Sequence, residues 1–186
     1  RANGYVRSEG IGAVVLQTRA PSSTTAQWDA TIDGIRTAQD GKSASLTAPN
    51  GLAQVQLLRT TYAAAEREMC ISECHGTGTA LGDPTEIGAM CVVAKNRLVP
   101  HGVKASTGHM EPAAGMVGLL AIVQFRGRHN GNAQLRCLNP LISRQIDMAQ
   151  HRRMNVVCPQ QAEGCMAASG LSSLGYSGTI THAVVL

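Results

Sequence analysis

The sequence predicts a layered α/β fold. Short apolar runs with strand character alternate with helical stretches, and polar, glycine-rich loops follow the strands. Hydrophobic residues make up 44% of the 186, enough to bury a sizeable core.

Tyr5 to Gln17 reads as a strand pair or one long bent strand, punctuated by Gly10 and Gly12, with Ala13-Val14-Val15-Leu16 as a buried run. Ala20 to Ala26 is a Pro/Ser/Thr loop, and Trp28 to Thr37 alternates loosely, as a strand does. Asp40-Gly41 and Pro49-Asn50-Gly51 mark turns. Leu52 to Glu68 is a helix: Leu52, Val55, Leu58, Tyr62 and Ala65 recur three and four apart without internal Gly or Pro. Cys70 to Cys74 is a short strand and His75 to Gly82 a glycine-threonine loop. Asp83 is expected to cap the next helix, with Pro84 at its first position and Glu86 at its third, running to about Leu98. Val103 to Ser106 reads as a strand, Thr107 to Glu111 as a loop, and Pro112 to about Gly127 as a helix. Asn130 to Asn155 is turn-rich with short extended pieces. Asn155–Val157, Met166–Leu171 and Thr181–Leu186 read as strands, and no internal repeat is visible.

Composition excludes several function classes. Aromatics are 3%, too few for a base-stacking surface, and the net charge of +4 comes from scattered positives rather than a basic run. That mild bias favours an acidic protein partner. The longest apolar run, Ala113 to Val123, falls well short of the ~20 residues a membrane span needs. No signal peptide is evident, so an intracellular site, cytoplasmic or organellar (a plastid included), is expected rather than secretion. The chain opens on Arg1 and closes on Ala183-Val184-Val185-Leu186, and both ends read as cut.

The cysteines are Cys70, Cys74, Cys91, Cys137, Cys158 and Cys165, and none forms a C-x-x-C pair. Cys70, Cys74 and His75 crowd together, but four residues of strand separate the two thiols by about 13 Å, too far to share an ion. Buried free thiols are expected, and no metal site.

Polar chemistry gathers in three loops: His75-Gly76-Thr77-Gly78-Thr79, Lys104-Ala105-Ser106-Thr107-Gly108-His109-Met110-Glu111, and Ser172-Ser173-Leu174-Gly175-Tyr176-Ser177-Gly178-Thr179. Each lies at a strand end, where α/β folds place their sites. Taken singly each signal is weak. His75 reads equally as a turn histidine and Lys104 as a solvated lysine, and Gly76-Thr77-Gly78-Thr79 lacks the lysine spacing of a phosphate loop.

Together, and in this order, they resemble the C-terminal half of a β-ketoacyl synthase of the polyketide synthase type, in the thiolase-like superfamily. The matching stretches are Gly4 to Gly10, Glu73 to Glu86, Gly108-His109-Met110-Glu111-Pro112-Ala113-Ala114-Gly115, and Ser172 to Thr179. The resemblance implies the C-terminal half of a layered α/β/α/β/α fold, with residues 1–186 forming one partial ketosynthase domain and no second domain. It implies a decarboxylative Claisen condensation of malonyl and acyl thioesters, as in polyketide or fatty acid synthesis. The substrate is carried on the phosphopantetheine of an acyl carrier protein, and no cofactor is bound covalently. His75 and His109 match the histidines of a Cys-His-His triad, and Lys104 and Glu111 match the lysine and glutamate of the network behind the second histidine. Thr77 and Thr79 match the threonines that bind the pantetheine arm. Tyr176 falls in the gating loop, where its backbone N–H would serve the acyl oxyanion hole.

The resemblance also has departures. The family nucleophile sits on a tight turn at a helix start, and none of the six cysteines has that setting. The Gly-Thr-Asn-Ala-His ending of the family reads Gly178-Thr179-Ile180-Thr181-His182 here, with His182 matching a structural histidine. Two functions follow as alternatives: part of a condensing enzyme, inactive alone and completed by an N-terminal half, or a non-enzymatic remnant serving as a structural or binding subunit. Either way, a large apolar face should be exposed in the chain alone.

Overall fold

A computed structural model describes residues 4, 6–18, 29–42, 48–124, 132, 134–158 and 168–186. The loop expected at Ala20–Ala26, Trp28, the helix end past Gln124, Cys165 and the start of the strand expected at Met166 lie outside the described residues.

Among the described residues six strands form one sheet: β1 (Ile32–Gln39), β2 (Ile71–Glu73), β3 (Arg97–His101), β4 (Asn155–Val156), β5 (Ser169–Leu174) and β6 (Thr179–Val185), in the order β1-β6-β5-β2-β3-β4. The pairings β5-β2-β3-β4 are parallel, while β6 is antiparallel to both β5 and β1. Because β2, β3 and β5 run the same way, the segments that leave them emerge at one edge of the sheet.

Helices cover the two faces unequally. α1 (Gly51–Ala65) starts where the Asn50 carboxamide accepts from the Leu52 and Ala53 amides, and ends on Glu66 in the left-handed region. α2 (Gly82–Val93) packs beside α1, and α5 (Pro140–Gln150) beside α2. Gly170 of β5 meets Tyr62 of α1, whereas its neighbour Leu171 meets Gly118 of α4 (Ala114–Gln124). Adjacent strand residues face opposite ways, so α1 and α4 lie on opposite faces. The main core lies on the α1 side, where Leu58, Met90, Leu98 and Val184 cluster. α4 is different. It has no charged residue, yet only Ala114, Gly118 and Ala121 are buried, and Leu120 is exposed. No described helix is long and apolar enough to cross a membrane.

The layered α/β class stands, and four element expectations are corrected. Residues 6–18 form no strand; Arg7 makes an isolated bridge to His109, and Ile11, Val15 and Leu16 are exposed. The strand expected at Val103–Ser106 is instead a short helix, α3 (Lys104–Thr107), and the strand is Arg97–His101. Pro100 disguised it, because proline breaks a ladder. It is tolerated because β4 pairs only with Arg97 and Leu98, leaving no ladder among the described residues on that side at residue 100. α2 accordingly stops at Val93 rather than near Leu98. The turn-rich stretch contains α5, opened by Asn139, whose side chain accepts from the Leu141 amide, and by Pro140.

Candidate active site

The His75 loop is held from beneath by α2. The Glu86 carboxylate accepts from the His75 amide at 2.7 Å and the Gly76 amide at 3.0 Å. The Asp83 carboxylate accepts from the Gly78 amide at 3.0 and 3.1 Å and from the Thr79 amide at 3.4 Å. The sequence pattern places Asp83 at the helix cap. Leu81 occupies that position instead, Pro84 falls at the third helical residue, and Asp83 turns back onto the loop. Gly76 and Gly78 have φ of +45° and +78°. A side chain at Gly78 would also place its Cβ 2.7 Å from the Gly4 carbonyl oxygen. Thr77 and Thr79 pair through their hydroxyls at 3.3 Å, and Thr79 also accepts from the Gly82 amide.

The second loop leaves β3 through α3 and reaches His109. Gly4, Val6 and Ser8 bridge the two loops: Gly4 donates to the Gly78 carbonyl, Ser8 donates to the His109 carbonyl, and His109 donates to the Val6 carbonyl. The His75 and His109 rings lie edge to face with centroids 5.3 Å apart. His109 borders a cavity of about 850 Å³ that Lys104, Thr77, Asp83, Glu86 and His101 also line.

Burial shifts both imidazoles toward the neutral form. Burial pushes His75 down to about 3, with Lys104 and then His109 adding to the shift. Burial also lowers His109, helped by Lys104 and Arg7 and opposed by Glu111. The His109 Nδ1 accepts from the Glu111 amide at 3.2 Å, which leaves the ring proton on Nε2. Lys104 is itself lowered by burial, against Glu86, Glu73, Cys74 and Asp83. Burial pushes Glu86 up to about 7, with its two amide donors working against the rise.

The structure thus gathers His75, His109, Lys104 and Thr77. Thr79 lies in the same loop with its hydroxyl turned inward on the turn. Glu111 stands apart. Its φ is +41°, and its half-exposed carboxylate pairs with Arg7 at 3.0 Å, so its backbone rather than its side chain meets His109. Tyr176 is 84% exposed on the turn between β5 and β6. Cys74 is buried with its sulfur 3.8 Å from the Met90 sulfur, and burial, then Glu86, Glu73 and Asp83, raise its thiol well above the ordinary range. It therefore lacks nucleophilic character. Sequence reasoning missed the supporting carboxylates Glu73, Asp83 and Glu86. The signal available was an acidic residue inside a short predicted strand, and two acids spaced to lie on one helical face.

Comparisons with known proteins bear on the same segments. Residues 29–126 match the family model for the beta-ketoacyl synthase C-terminal domain. A phenolphthiocerol/phthiocerol polyketide synthase chain of Mycobacterium bovis is 38% identical over 99% of this chain and 10% of its own length. The 6-methylsalicylic acid synthase of Penicillium terrestre is 34% identical over 99% of this chain and 11% of its own. The chain thus spans about a tenth of these relatives. Among solved structures, the ketosynthase from module 6 of the bacillaene synthase of Bacillus subtilis superposes with a TM-score of 0.73 at 26% identity, over 86% of this chain and 30% of that one. The ketosynthase from module 1 of the Bacillus amyloliquefaciens bacillaene synthase gives 0.71 at 26%, over 84% and 29%. With the family model covering more than half of its residues, the chain belongs to the β-ketoacyl synthases and carries their C-terminal, thiolase-like half.

Proposed function

We propose that residues 1–186 form one partial ketosynthase domain that contributes the two histidines of a decarboxylative Claisen condensation. The observation that carries this reading is the pair of imidazoles with centroids 5.3 Å apart, of which His109 borders a cavity that Lys104 also lines. A malonyl thioester on a carrier's phosphopantetheine presents its carbonyl to the two ring N–H groups. Loss of carbon dioxide leaves the bonding pair on the α-carbon as an enolate, and the hydrogen bonds strengthen as charge develops on the oxygen. The α-carbon attacks an acyl thioester on a cysteine, the carbon–carbon bond forms, and the thiolate leaves. Thr77 borders the path of the pantetheine arm and Thr79 supports the turn. Lys104 holds the polar network behind the rings. Glu111 orients His109 through its amide, and Tyr176 belongs to the gating loop.

The partners proposed are an acyl carrier protein and an N-terminal ketosynthase half bearing the nucleophile. The apolar outward side of α4, which has no charged residue, supports the second partner. That same surface supports the alternative reading, a binding subunit without chemistry. One experiment separates them. The chain is assembled with a ketosynthase N-terminal half, in cis or in trans, and His75→Ala and His109→Ala are compared with the unaltered assembly. Loss of malonyl decarboxylation and condensation by about two to three orders of magnitude, as for removal of an oxyanion donor, supports the enzyme reading. An inert assembly, or one indifferent to both substitutions, supports the non-enzymatic reading.

A further inference from the structure

β2 and β3 lie side by side, and the ladder between them ends at residue 101, where the Cys74 amide donates to the His101 carbonyl at 2.8 Å. Beyond that point the chain leaves the sheet through Gly102 and Val103 into α3, which begins with Lys104 and leads to His109. The sheet therefore fixes the exit of His75 from β2, but among the described residues no strand pairing fixes the departure of the other loop.

A side chain takes over where the ladder stops. Glu73, the last residue of β2, is 3% exposed. One carboxylate oxygen accepts from the Val103 amide at 2.7 Å, and the other meets His101 Nδ1 at 2.5 Å. Each carboxylate oxygen thus has its own partner, as a buried carboxylate requires. The stem of Glu73 also lies beneath α4, since a Cβ on Gly118 would come within 3.4 Å of its Cγ. Glu73 thus touches the end of β3, the start of α3 and the helix after His109, while lying two residues before His75. The field of Glu73 also acts on Lys104.

We propose that Glu73 and His101 form a positioning pair that sets the Lys104–His109 segment against the His75 loop. It deepens the ketosynthase reading and rests on it for its effect on turnover. Neither side chain touches the reacting atoms. His101 supplies the donor that holds one carboxylate oxygen, so that the other stays on the Val103 amide. Loss of His101 lets the carboxylate turn, releases Val103, and lets His109 drift from His75. A misplacement near 1 Å at a reacting group slows chemistry by about a hundredfold.

The test uses the chain assembled with a ketosynthase N-terminal half and compares His101→Ala, His101→Gln and Glu73→Ala. The expected result is faster amide exchange at Val103 in both alanine variants. His101→Ala should also slow condensation about ten- to a hundredfold, with the KM for carrier-bound malonyl and the rate of cysteine acylation little changed. His101→Gln should restore both readouts, because its amide N–H can donate to the carboxylate. His101 has 20% of its side chain exposed, so its variants keep the test open should Glu73→Ala fail to fold. Unchanged exchange at Val103 with wild-type condensation in His101→Ala overturns the proposal, as does faster exchange without slower condensation. Should the unaltered assembly not condense at all, the ketosynthase reading falls. The pair is then judged by the nuclear Overhauser contact between the His75 and His109 rings. Loss in His101→Ala with return in His101→Gln supports positioning, and persistence in every variant overturns it.

Discussion

Glu86→Gln separates two influences on a carboxyl group that the structure sets against each other. Glu86 is 3% exposed and accepts from two backbone amides of the His75 loop. Burial is the larger influence and lifts it from 4.5 to about 7; the Gly76 and His75 amides oppose this, Asp83 adds to it, and Lys104 opposes it. A carboxyl raised on folding stabilises the fold through its protonated form. That contribution is fully present below the unfolded value near 4.5 and is lost as pH rises through about 7. The whole effect is about 3 kcal/mol, of which about 2 kcal/mol falls between pH 7 and pH 5. Glutamine does not titrate, and its amide can satisfy only one of the two loop donors. It should therefore cost about 1–2 kcal/mol at pH 7. The stability gap between wild type and Glu86→Gln should widen by a further ~2 kcal/mol at pH 5. Urea unfolding of both proteins at matched pH, with the m-value held constant, measures the gap directly. A gap independent of pH would mean that the two amides fully offset burial. A gap that narrows on acidification would mean that they outweigh it, and the account of this site would be wrong.

His182 should behave with the opposite sign. Burial pushes it down to about 3, so its contribution is present above pH 6.5 and lost as pH falls toward 3. Wild type should lose about 2 kcal/mol relative to His182→Gln between pH 7 and pH 5, read by the same unfolding series. Gly78→Ala should destabilise the His75 loop by more than the ~1–2 kcal/mol of a left-handed alanine, because its Cβ also meets the Gly4 carbonyl. Gly41→Ala, with φ of +65° and nothing within 4 Å, is the control that carries the backbone cost alone. The isolated 186-residue chain should bind a hydrophobic dye and aggregate, and a ketosynthase N-terminal half should abolish both; a clean cooperative melt without dye binding would contradict the exposed face of α4.

The sequence made parts of this molecule plain and hid others for physical reasons. α1 was legible because Leu58, Tyr62 and Ala65 repeat at helical spacing and are buried on one face. β2 and its loop were legible because the short stretch Cys70–Cys74 gives way abruptly to glycines and threonines. β3 was hidden by Pro100, which is harmless only because of where β4 ends, a tertiary fact that no local pattern carries. α5 was hidden although Asn139-Pro140 is a helix start and Ile142, Ile146 and Ala149 share a face, because the turn residues before it carry the stronger local signal. The convergence of His75 and His109 followed from the order of the loops, but its supports did not. Asp83 has the sequence signature of a cap, yet binding the loop satisfies two amides that would otherwise be left without partners.

The charges around the two histidines have a common logic. The proposed condensation would need ring N–H groups that donate to a developing enolate oxygen without protonating the α-carbon. An imidazolium at ordinary acidity would risk that transfer, so neutral rings are the useful form. Burial is the larger influence on both rings, and the nearby Lys104 charge adds to it in each. A lysine so placed must itself remain charged despite burial, and Glu86, Glu73 and Asp83 oppose its loss of a proton. Those same carboxylates bind the amides of His75, Gly76, Gly78 and Val103, the points at which both loops leave the sheet. Geometry and protonation are therefore set by one group of side chains. A substitution among Glu73, Asp83 and Glu86 should disturb ring placement and ring charge together, whereas a change in either histidine should leave the other's loop in place.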